Sequence, residues 1–282
     1  MRRASCAIAF LGLFQVDCFA EERLDKSGYN LFRPVPDSLL REMETDRPDK
    51  TESAYTVDAG HFQVEMELLS YTRDRSKHER VESFGMASTN FKVGILNRVD
   101  LQIIVESFNL LETKDRNTGE HSRVSGFGDV TLRSKINLWG DDGGSTALSL
   151  MPFVKVPTAK HDLGNGAVEG GVIFPFAMEL PCEWGLGAQV EVDHLRNEAG
   201  SSYHQEFSNT VTVSHDIVGK LAGYVELFNS VSNESHSSWV GTFDFGFTYA
   251  LTRDVRLDAG MNIGLTDAAD DFNPFLGLSL RY

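Results

Sequence analysis

Cysteine is scarce in this 282-residue sequence, which contains three. Two of them, Cys6 and Cys18, fall in an N-terminal stretch with the features of a secretory signal peptide, so the mature chain keeps only Cys182. A single cysteine excludes an intramolecular disulfide and leaves a cysteine-based metal site without enough ligands. The exported chain must therefore be stable without either kind of crosslink.

Long apolar runs and an excess of basic charge are also missing. The mean hydropathy is -0.22, and no run reaches the roughly 20 apolar residues that a membrane-spanning helix needs. This excludes a helical membrane protein. The chain has 26 Lys and Arg against 41 Asp and Glu, a formal net charge of -15. Such an acidic chain argues against nucleic acid as a partner, because nucleic-acid binding requires basic patches.

The first 54 residues contain two segments without strand character. Arg2 and Arg3 precede a short apolar stretch, and Ala20 provides a small residue at a cleavage point, so residues 1–20 are predicted to be a signal peptide. The alternative is a buried N-terminal helix. Residues 21–54 are rich in charge and proline, which indicates irregular backbone. They form either a periplasmic tail or a plug inside a barrel, and the sequence leaves both open.

From residue 55 to 282, apolar residues recur at every second position. Phe243, Phe245 and Phe247, for example, are separated by Asp244 and Gly246. A period of two predicts β-strands with one apolar and one polar face, and we count twelve strands. Short connections at 97–98, 140–144, 180–183, 216–219 and 252–254 alternate with longer polar ones at about 73–85, 110–125, 158–167, 196–205, 232–237 and 266–273.

An even strand number with alternating loop lengths is typical of outer-membrane barrels. We therefore predict an all-β fold, a transmembrane antiparallel up-and-down β-barrel of about 12 strands, in the cell outer membrane. A soluble β-sandwich, the rival fold, gives no reason for the alternation in loop length.

The chain end and its aromatic residues fit the same prediction. The run from Phe275 to Tyr282 resembles the C-terminal signature of bacterial outer-membrane barrels, with Gly277 upstream and a final aromatic residue. Expected partners are therefore the lipid bilayer and the outer-membrane assembly machinery. Aromatic girdles mark the membrane interfaces of such barrels. The predicted interface aromatics are Trp139, Trp184, Trp239, Tyr249 and Tyr282.

If the apolar positions face lipid, the alternate positions line the lumen. Acids outnumber bases there, so a narrow wet passage is expected to favour cations over anions. The alternative is a closed interior in which acids and bases pair with one another. The predicted lumen-lining residues are Glu65, Glu67, Asp100, Glu106, Asp129, Arg133, Lys135, Lys155, Glu169, Glu191, Asp193, Glu226, Asp244 and Asp258.

Enzymatic and metal chemistry have weak support in the sequence. His121-Ser122 and Ser214-His215-Asp216 contain hydrolase residue types, but adjacent residues on a strand point to opposite faces. Asp141-Asp142 lies in a turn too short to supply the 6–8 oxygen ligands that calcium usually takes. We therefore expect no catalytic residues, no metal and no cofactor.

Several segments resemble a bacterial family of outer-membrane transporter-like proteins named for the MetA pathway of phenol degradation. The residues concerned are Leu40–Ser53, Thr56–Glu65, Gly126–Leu132, Val154–Thr158 and Glu169–Gly171 before Pro175. The chain differs in having Ala54 where a proline is expected and Ala159 where a glycine is expected. The resemblance implies a barrel that passes small aromatic or other organic solutes, and it carries over no catalytic residue.

The predicted function is therefore a channel or transporter that passes small solutes by passive diffusion. A closed structural or interaction barrel is the alternative, followed by a membrane-embedded lipid hydrolase.

Overall fold

The structure is a computed structural model that describes residues 25–76, 78–160, 163–197 and 200–282. The predicted signal peptide, residues 1–20, lies outside the described residues. Within the described ranges, no helix has the length and apolar character needed to cross a membrane.

Thirteen β-strands make up most of the described chain. They are β1 Phe62–Arg75, β2 Glu79–Leu96, β3 Val99–Asp115, β4 His121–Gly126, β5 Val130–Trp139, β6 Thr146–Val156, β7 Glu169–Leu180, β8 Trp184–Arg196, β9 Tyr203–Val218, β10 Leu221–Ser232, β11 Val240–Thr252, β12 Val255–Gly264 and β13 Phe272–Arg281. All pairings between them are antiparallel, and β1 pairs with β13 to close the sheet.

Strands β4 and β5 form one interrupted strand of the barrel. Both pair with β3: β4 with its far half, from Asn109 to Lys114, and β5 with its near half, from Val99 to Val105. Phe127–Asp129 separate the two pieces. The barrel therefore has twelve strand positions, and the predicted fold class and strand number are confirmed.

The C-terminal residue takes part in closing the barrel. The Tyr282 backbone N–H donates to the Phe62 carbonyl at 2.8 Å, and the Phe62 N–H donates to the Tyr282 carbonyl at 3.0 Å. A closed sheet has no free edge, which removes the cost of unpaired backbone groups in lipid.

Side chains alternate between a polar interior and an apolar exterior. On β3, Asp100 and Gln102 are buried, whereas Leu101 and Ile103 are 44% and 45% exposed. Exposed leucine and isoleucine at every second position are what a lipid-facing surface requires. The interior of this barrel is therefore its polar side.

Two of the predicted loops are largely strand. β1 continues to Arg75 and β2 begins at Glu79, within the predicted loop 73–85; β3 continues to Asp115 and is followed by β4, within the predicted loop 110–125. A membrane crossing needs only about 9–11 residues, and β2 has 18. These strands extend beyond the bilayer, where no apolar face is required. That is why a search for apolar alternation missed them.

Candidate functional site

The predicted lumen residues lie on the inner side of the barrel wall or at its rim. Nine of the fourteen are buried: Glu65, Asp100, Asp129, Lys135, Glu169, Asp193, Glu226, Asp244 and Asp258. The remaining five are partly buried: Glu67, Glu106, Arg133, Lys155 and Glu191. Charged side chains can be buried at this density only if they are paired or hydrogen-bonded.

Residues 41–57 supply many of those partners. This segment contacts side chains on eleven strands, from every part of the circumference. The contacted side chains are Glu65 on β1, Lys92 on β2, Asp100 on β3, Lys135 on β5, Ser149 on β6, Gln189 on β8, Thr210 on β9, Glu226 on β10, Asp244 on β11, Asp258 on β12 and Arg281 on β13. A segment that contacts opposite walls of a barrel lies across its interior.

Asp46 is the centre of the most buried group of charges. Its carboxylate contacts the ammonium groups of Lys92 and Lys135, and the Arg133 guanidinium lies 3.7 Å away. The Asp46 backbone N–H donates to Glu65, which also pairs with Lys92. Burial alone would raise the pKa of Asp46, but the three cations hold it below its ordinary value. Asp46 is thus a buried anion fixed by the barrel wall.

Arg47 fits into a gap in the wall that a glycine provides. Glu67, Gly277 and Asp258 are directly paired across β1, β13 and β12. The Arg47 guanidinium lies over this row, 2.8 Å from the Asp258 carboxylate and 3.4 Å from that of Glu67. A Cβ at position 277 would come within 2.5 Å of the guanidinium Nη2 atom. The absence of a side chain at Gly277 is therefore what admits Arg47.

Glu226 receives the next stretch of the segment. The backbone N–H groups of Lys50 and Thr51 each donate to its carboxylate at 2.8 Å. The Lys50 ammonium lies 3.1 Å from Asp244 and 2.7 Å from the Thr242 hydroxyl. The Lys50 ammonium also lies 4.5 Å from the centroid of the Phe228 ring, so hydrogen bonds, ion pairs and a cation–π contact hold this stretch.

Two further carboxyl groups of the segment are enclosed by the barrel. The Glu52 backbone N–H donates to Gln189 at 2.7 Å, and its carboxylate contacts Arg133. Burial raises the pKa of Glu52 to about 7, although the charge of Arg133 opposes this shift. Burial, together with the nearby charge of Glu226, raises the pKa of Asp49 well above its ordinary value. Both groups hold protons more tightly inside the barrel than they would in water.

The two aspartates of the 140–145 turn also bind the segment. Arg41 lies 2.9 Å from Asp141 and 4.0 Å from Asp142, and Asp142 also lies 3.4 Å from Lys26, which precedes the segment. Asp141 also accepts the Thr56 backbone N–H at 3.0 Å. These carboxylates are therefore occupied by protein cations and N–H groups.

The predicted interface aromatics lie on the outside. Their exposed fractions range from 43% for Trp184 to 72% for Tyr282. Four of them lie at the short-turn ends of strands, namely Trp139, Trp184, Tyr249 and Tyr282, and Trp239 lies at the opposite end, next to β11. Aromatic rings at both ends of an apolar band suit the two interfaces of a bilayer.

The histidine–serine pairs show no catalytic arrangement. His215 stacks on Trp184 with ring centroids 4.5 Å apart and contacts the Glu183 carbonyl. His121 lies 3.8 Å from Glu112. Within the described part of the chain, no serine hydroxyl is hydrogen-bonded to an imidazole nitrogen.

The interior charges contributed by residues 41–57 were missed as lumen groups. Asp46, Arg47, Lys50 and Glu52 lie outside the alternating strands, and the sequence left residues 21–54 as either a tail or a plug. One feature of the sequence could have indicated this role: acids and bases are closely mixed between residues 41 and 52. Such mixing suits a segment that must satisfy both signs of charge on a surrounding wall.

Comparison with known proteins places the chain in a family and a fold. Residues 45–282 match the family described as "Putative MetA-pathway of phenol degradation". An outer membrane channel from Pseudomonas putida F1 superposes with a TM-score of 0.59 at 13% identity, covering 85% of this chain and 100% of that one. The transport unit of the autotransporter AIDA-I from Escherichia coli gives 0.52 at 9% identity, covering 85% and 92%. No curated protein sequence matches the chain.

Proposed function

Because the chain belongs to the family described as the putative MetA pathway of phenol degradation and has an outer-membrane β-barrel fold, we propose that it is a passive channel for small solutes. One observation carries the proposal. The interior of a closed structural barrel is filled by side chains of its own strands. Here a separate segment, residues 41–57, fills part of it through polar contacts.

Of the two placements that the sequence left open for this segment, we favour the plug. The ion pairs and hydrogen bonds of residues 41–57 join the segment to the wall, whereas the strands are joined to one another by backbone ladders. Water can replace the polar contacts between the segment and the wall at a modest net cost in free energy. The plug can therefore leave the lumen while the barrel stays folded, and the described arrangement is the closed state.

The charge of the wall supports a preference for cations. Among the fourteen predicted lumen residues, eleven are acids and three, Arg133, Lys135 and Lys155, are bases. When the plug leaves, three bases leave with it, and so do five acids: Glu42, Glu44, Asp46, Asp49 and Glu52. The preference therefore depends on the excess of acid on the wall itself. Low-dielectric walls focus the remaining negative field, which favours cations and cationic organic solutes over anions.

Conductance of the full mature chain in planar bilayers tests the proposal. We expect brief openings from the wild type, longer ones when plug contacts are removed, and a reversal potential in a KCl gradient that indicates K⁺ preference. If neither the wild type nor the plug variants conduct ions, the closed structural barrel would be supported instead. Open channels with anion preference would contradict the charge argument.

The closed structural barrel is the second candidate, and the density of buried ion pairs around Asp46 is what favours it. Conductance separates the two, because a structural barrel has no state in which residues 41–57 leave. The hydrolase receives no comparable support from the contacts of Ser122 and Ser214, and we propose that the protein is not an enzyme.

A further inference from the structure

A cavity of about 410 Å³ lies at the end of the barrel opposite the short turns. It is bounded by β2, β3, β6, the Phe127–Asp129 interruption and the 157–168 connection. Residues 41–57 do not line it. The cavity is therefore open to solutes while the plug is in place.

Two carboxylates of this cavity are given room by glycines. The Glu106 carboxylate occupies the space that a side chain at Gly128 would take, and Asp129 Oδ2 lies 2.5 Å from the Cβ position of Gly164. Asp129 is only 4% exposed. The absence of a side chain at Gly128 and at Gly164 is therefore what leaves room for the two carboxylates at the cavity.

Neither carboxylate has a cationic partner within the described ranges. Glu106 accepts one neutral donor, the Asn109 amide at 2.9 Å. The backbone N–H groups of Thr158 and Ala159 both donate to Asp129 Oδ1, and Oδ2 accepts no hydrogen bond from a described residue. One oxygen of each carboxylate thus has no donor among the described residues, and a charged donor would stabilise it. The described lining therefore offers a position for a donor of positive charge.

Lys155, the one ammonium group among the described lining residues, is already neutralised. Lys155 lies 2.6 Å from Glu169, which also accepts the Asn165 amide at 2.7 Å and the Arg196 backbone N–H at 2.9 Å. Counting Glu106, Asp129 and Glu169 against Lys155, the cavity keeps two negative charges in excess. Such a site attracts a cation and repels an anion.

The other wall of the cavity is apolar. Leu111 on β3 and Leu163 in the connection after β6 provide its apolar side chains, whereas the Leu110 side chain points to the opposite face of β3. A bare metal ion would gain nothing from two leucines, whereas a hydrocarbon chain would bury apolar area against them. The two walls together require a ligand with a charged end and an apolar end.

We propose that this cavity binds small organic cations in which a primary ammonium group is joined to an apolar chain. The ammonium group donates to Glu106 and to Asp129 Oδ2, and the chain lies against Leu111 and Leu163. This inference rests on the proposed channel function in one respect: it makes the cavity the first binding position of a solute entering the closed barrel.

Equilibrium binding to the full mature chain in detergent micelles tests the inference without requiring transport. Saturation-transfer NMR titrations would compare n-butylammonium, 1-butanol and butyrate, which share the hydrocarbon chain and differ in charge. We expect saturable binding of n-butylammonium at least about tenfold tighter than of 1-butanol, as for charge-assisted hydrogen bonds. Butyrate should not bind saturably.

Three variants assign the binding to this cavity. Glu106→Gln should weaken n-butylammonium binding about tenfold and leave 1-butanol unchanged, because it removes one charge and keeps the shape. Leu163→Ser should weaken binding of both. The matched control is Glu112→Gln, also on β3, because the carboxylate of Glu112 pairs with Arg123 at 3.2 Å and does not line the cavity.

Equal affinity for the three probes, or an unchanged affinity in Glu106→Gln, would overturn the proposal. Displacement of n-butylammonium by an equal concentration of Na⁺ would also overturn it, since the site would then select charge alone. A barrel that does not conduct ions but binds n-butylammonium would contradict the channel function and support this inference. A barrel that conducts ions but does not bind n-butylammonium would support the channel function and contradict this inference.

Discussion

Arg47 gives the sharpest test of whether residues 41–57 are a plug. Its guanidinium is paired with Asp258 at 2.8 Å, and the two side chains are 17% and 2% exposed. Replacing Arg47 by Met keeps an unbranched, flexible side chain, shorter than that of arginine, and removes its charge. Asp258 is then left buried without the cation that satisfies it as long as the plug remains in the lumen.

The expected size of the effect follows from that burial. Removing one partner of a buried ion pair costs about 3–5 kcal/mol, and we take the lower end because Glu67, the second partner of Arg47, is 26% exposed. In the open state Asp258 is hydrated and incurs no such cost. A destabilisation of the closed state by about 3 kcal/mol shifts the equilibrium toward the open state roughly 100-fold, at about 1.4 kcal/mol per factor of ten.

The assay is single-channel open probability in planar bilayers. Arg47→Met should increase it strongly, and adding Asp258→Asn should reverse part of the increase because the unpaired buried charge is gone. Arg75→Met is the matched control: Arg75 pairs with Asp271 at 3.5 Å, and both side chains are at least 40% exposed. Such pairs contribute about 0–1 kcal/mol. An open probability in Arg47→Met equal to that of the wild type would refute the plug.

Three further predictions concern the plug and the barrel surface. Gly277→Ala should raise the open probability, because the new Cβ displaces the Arg47 guanidinium; if recordings match the wild type, the wall has room that the structure does not show. The raised pKa of Glu52, about 7, means that the closed state holds a proton that the released segment loses. The stability of the closed state should therefore fall, and the open probability rise, as pH rises from about 5 to 7. An open probability that does not rise over this window, or that rises equally in Glu52→Gln, would contradict the role of Glu52 as the group that loses the proton. Brominated lipids should quench the fluorescence of all three tryptophans, and unquenched emission would mean that they do not face lipid.

The barrel was predictable from the sequence because lipid imposes a strict pattern on it. Leu101 and Ile103 must be apolar, and Asp100 and Gln102 are free to be polar, so a period of two is visible in the sequence itself. The same pattern identified Asp100, Glu226 and Asp244 as inward-facing candidates, although it carried no information about their partners. Where lipid no longer constrains the strands, in the far halves of β2 and β3, the pattern disappears and the prediction of loops was wrong.

The position of residues 41–57 was not predictable for a different reason. The contacts of Asp46 and Lys50 depend on side chains up to about 190 positions away in the sequence, such as Thr242, and no local period encodes such contacts. Gly277 illustrates the difference between what a local sequence pattern encodes and what strand pairing reveals. The sequence indicated it only as part of a C-terminal signature resembling those of outer-membrane barrels. Its role in admitting Arg47 becomes visible once β1, β12 and β13 are paired.

The two ends of the lumen differ in how their acids are satisfied, and this difference connects the proposals. Near the short turns, Asp258 and Glu226 are paired with cations or N–H groups of residues 41–57, which the chain itself supplies. At the opposite end, Glu106 and Asp129 have no cation from the described chain and face an open cavity. A cationic solute suits both places: it can bind first where no protein cation competes, and then replace Arg47 and Lys50 as they leave. The cations of the plug therefore occupy the positions that a permeating cation would take, and a channel of this design should conduct organic cations best when its plug is weakened.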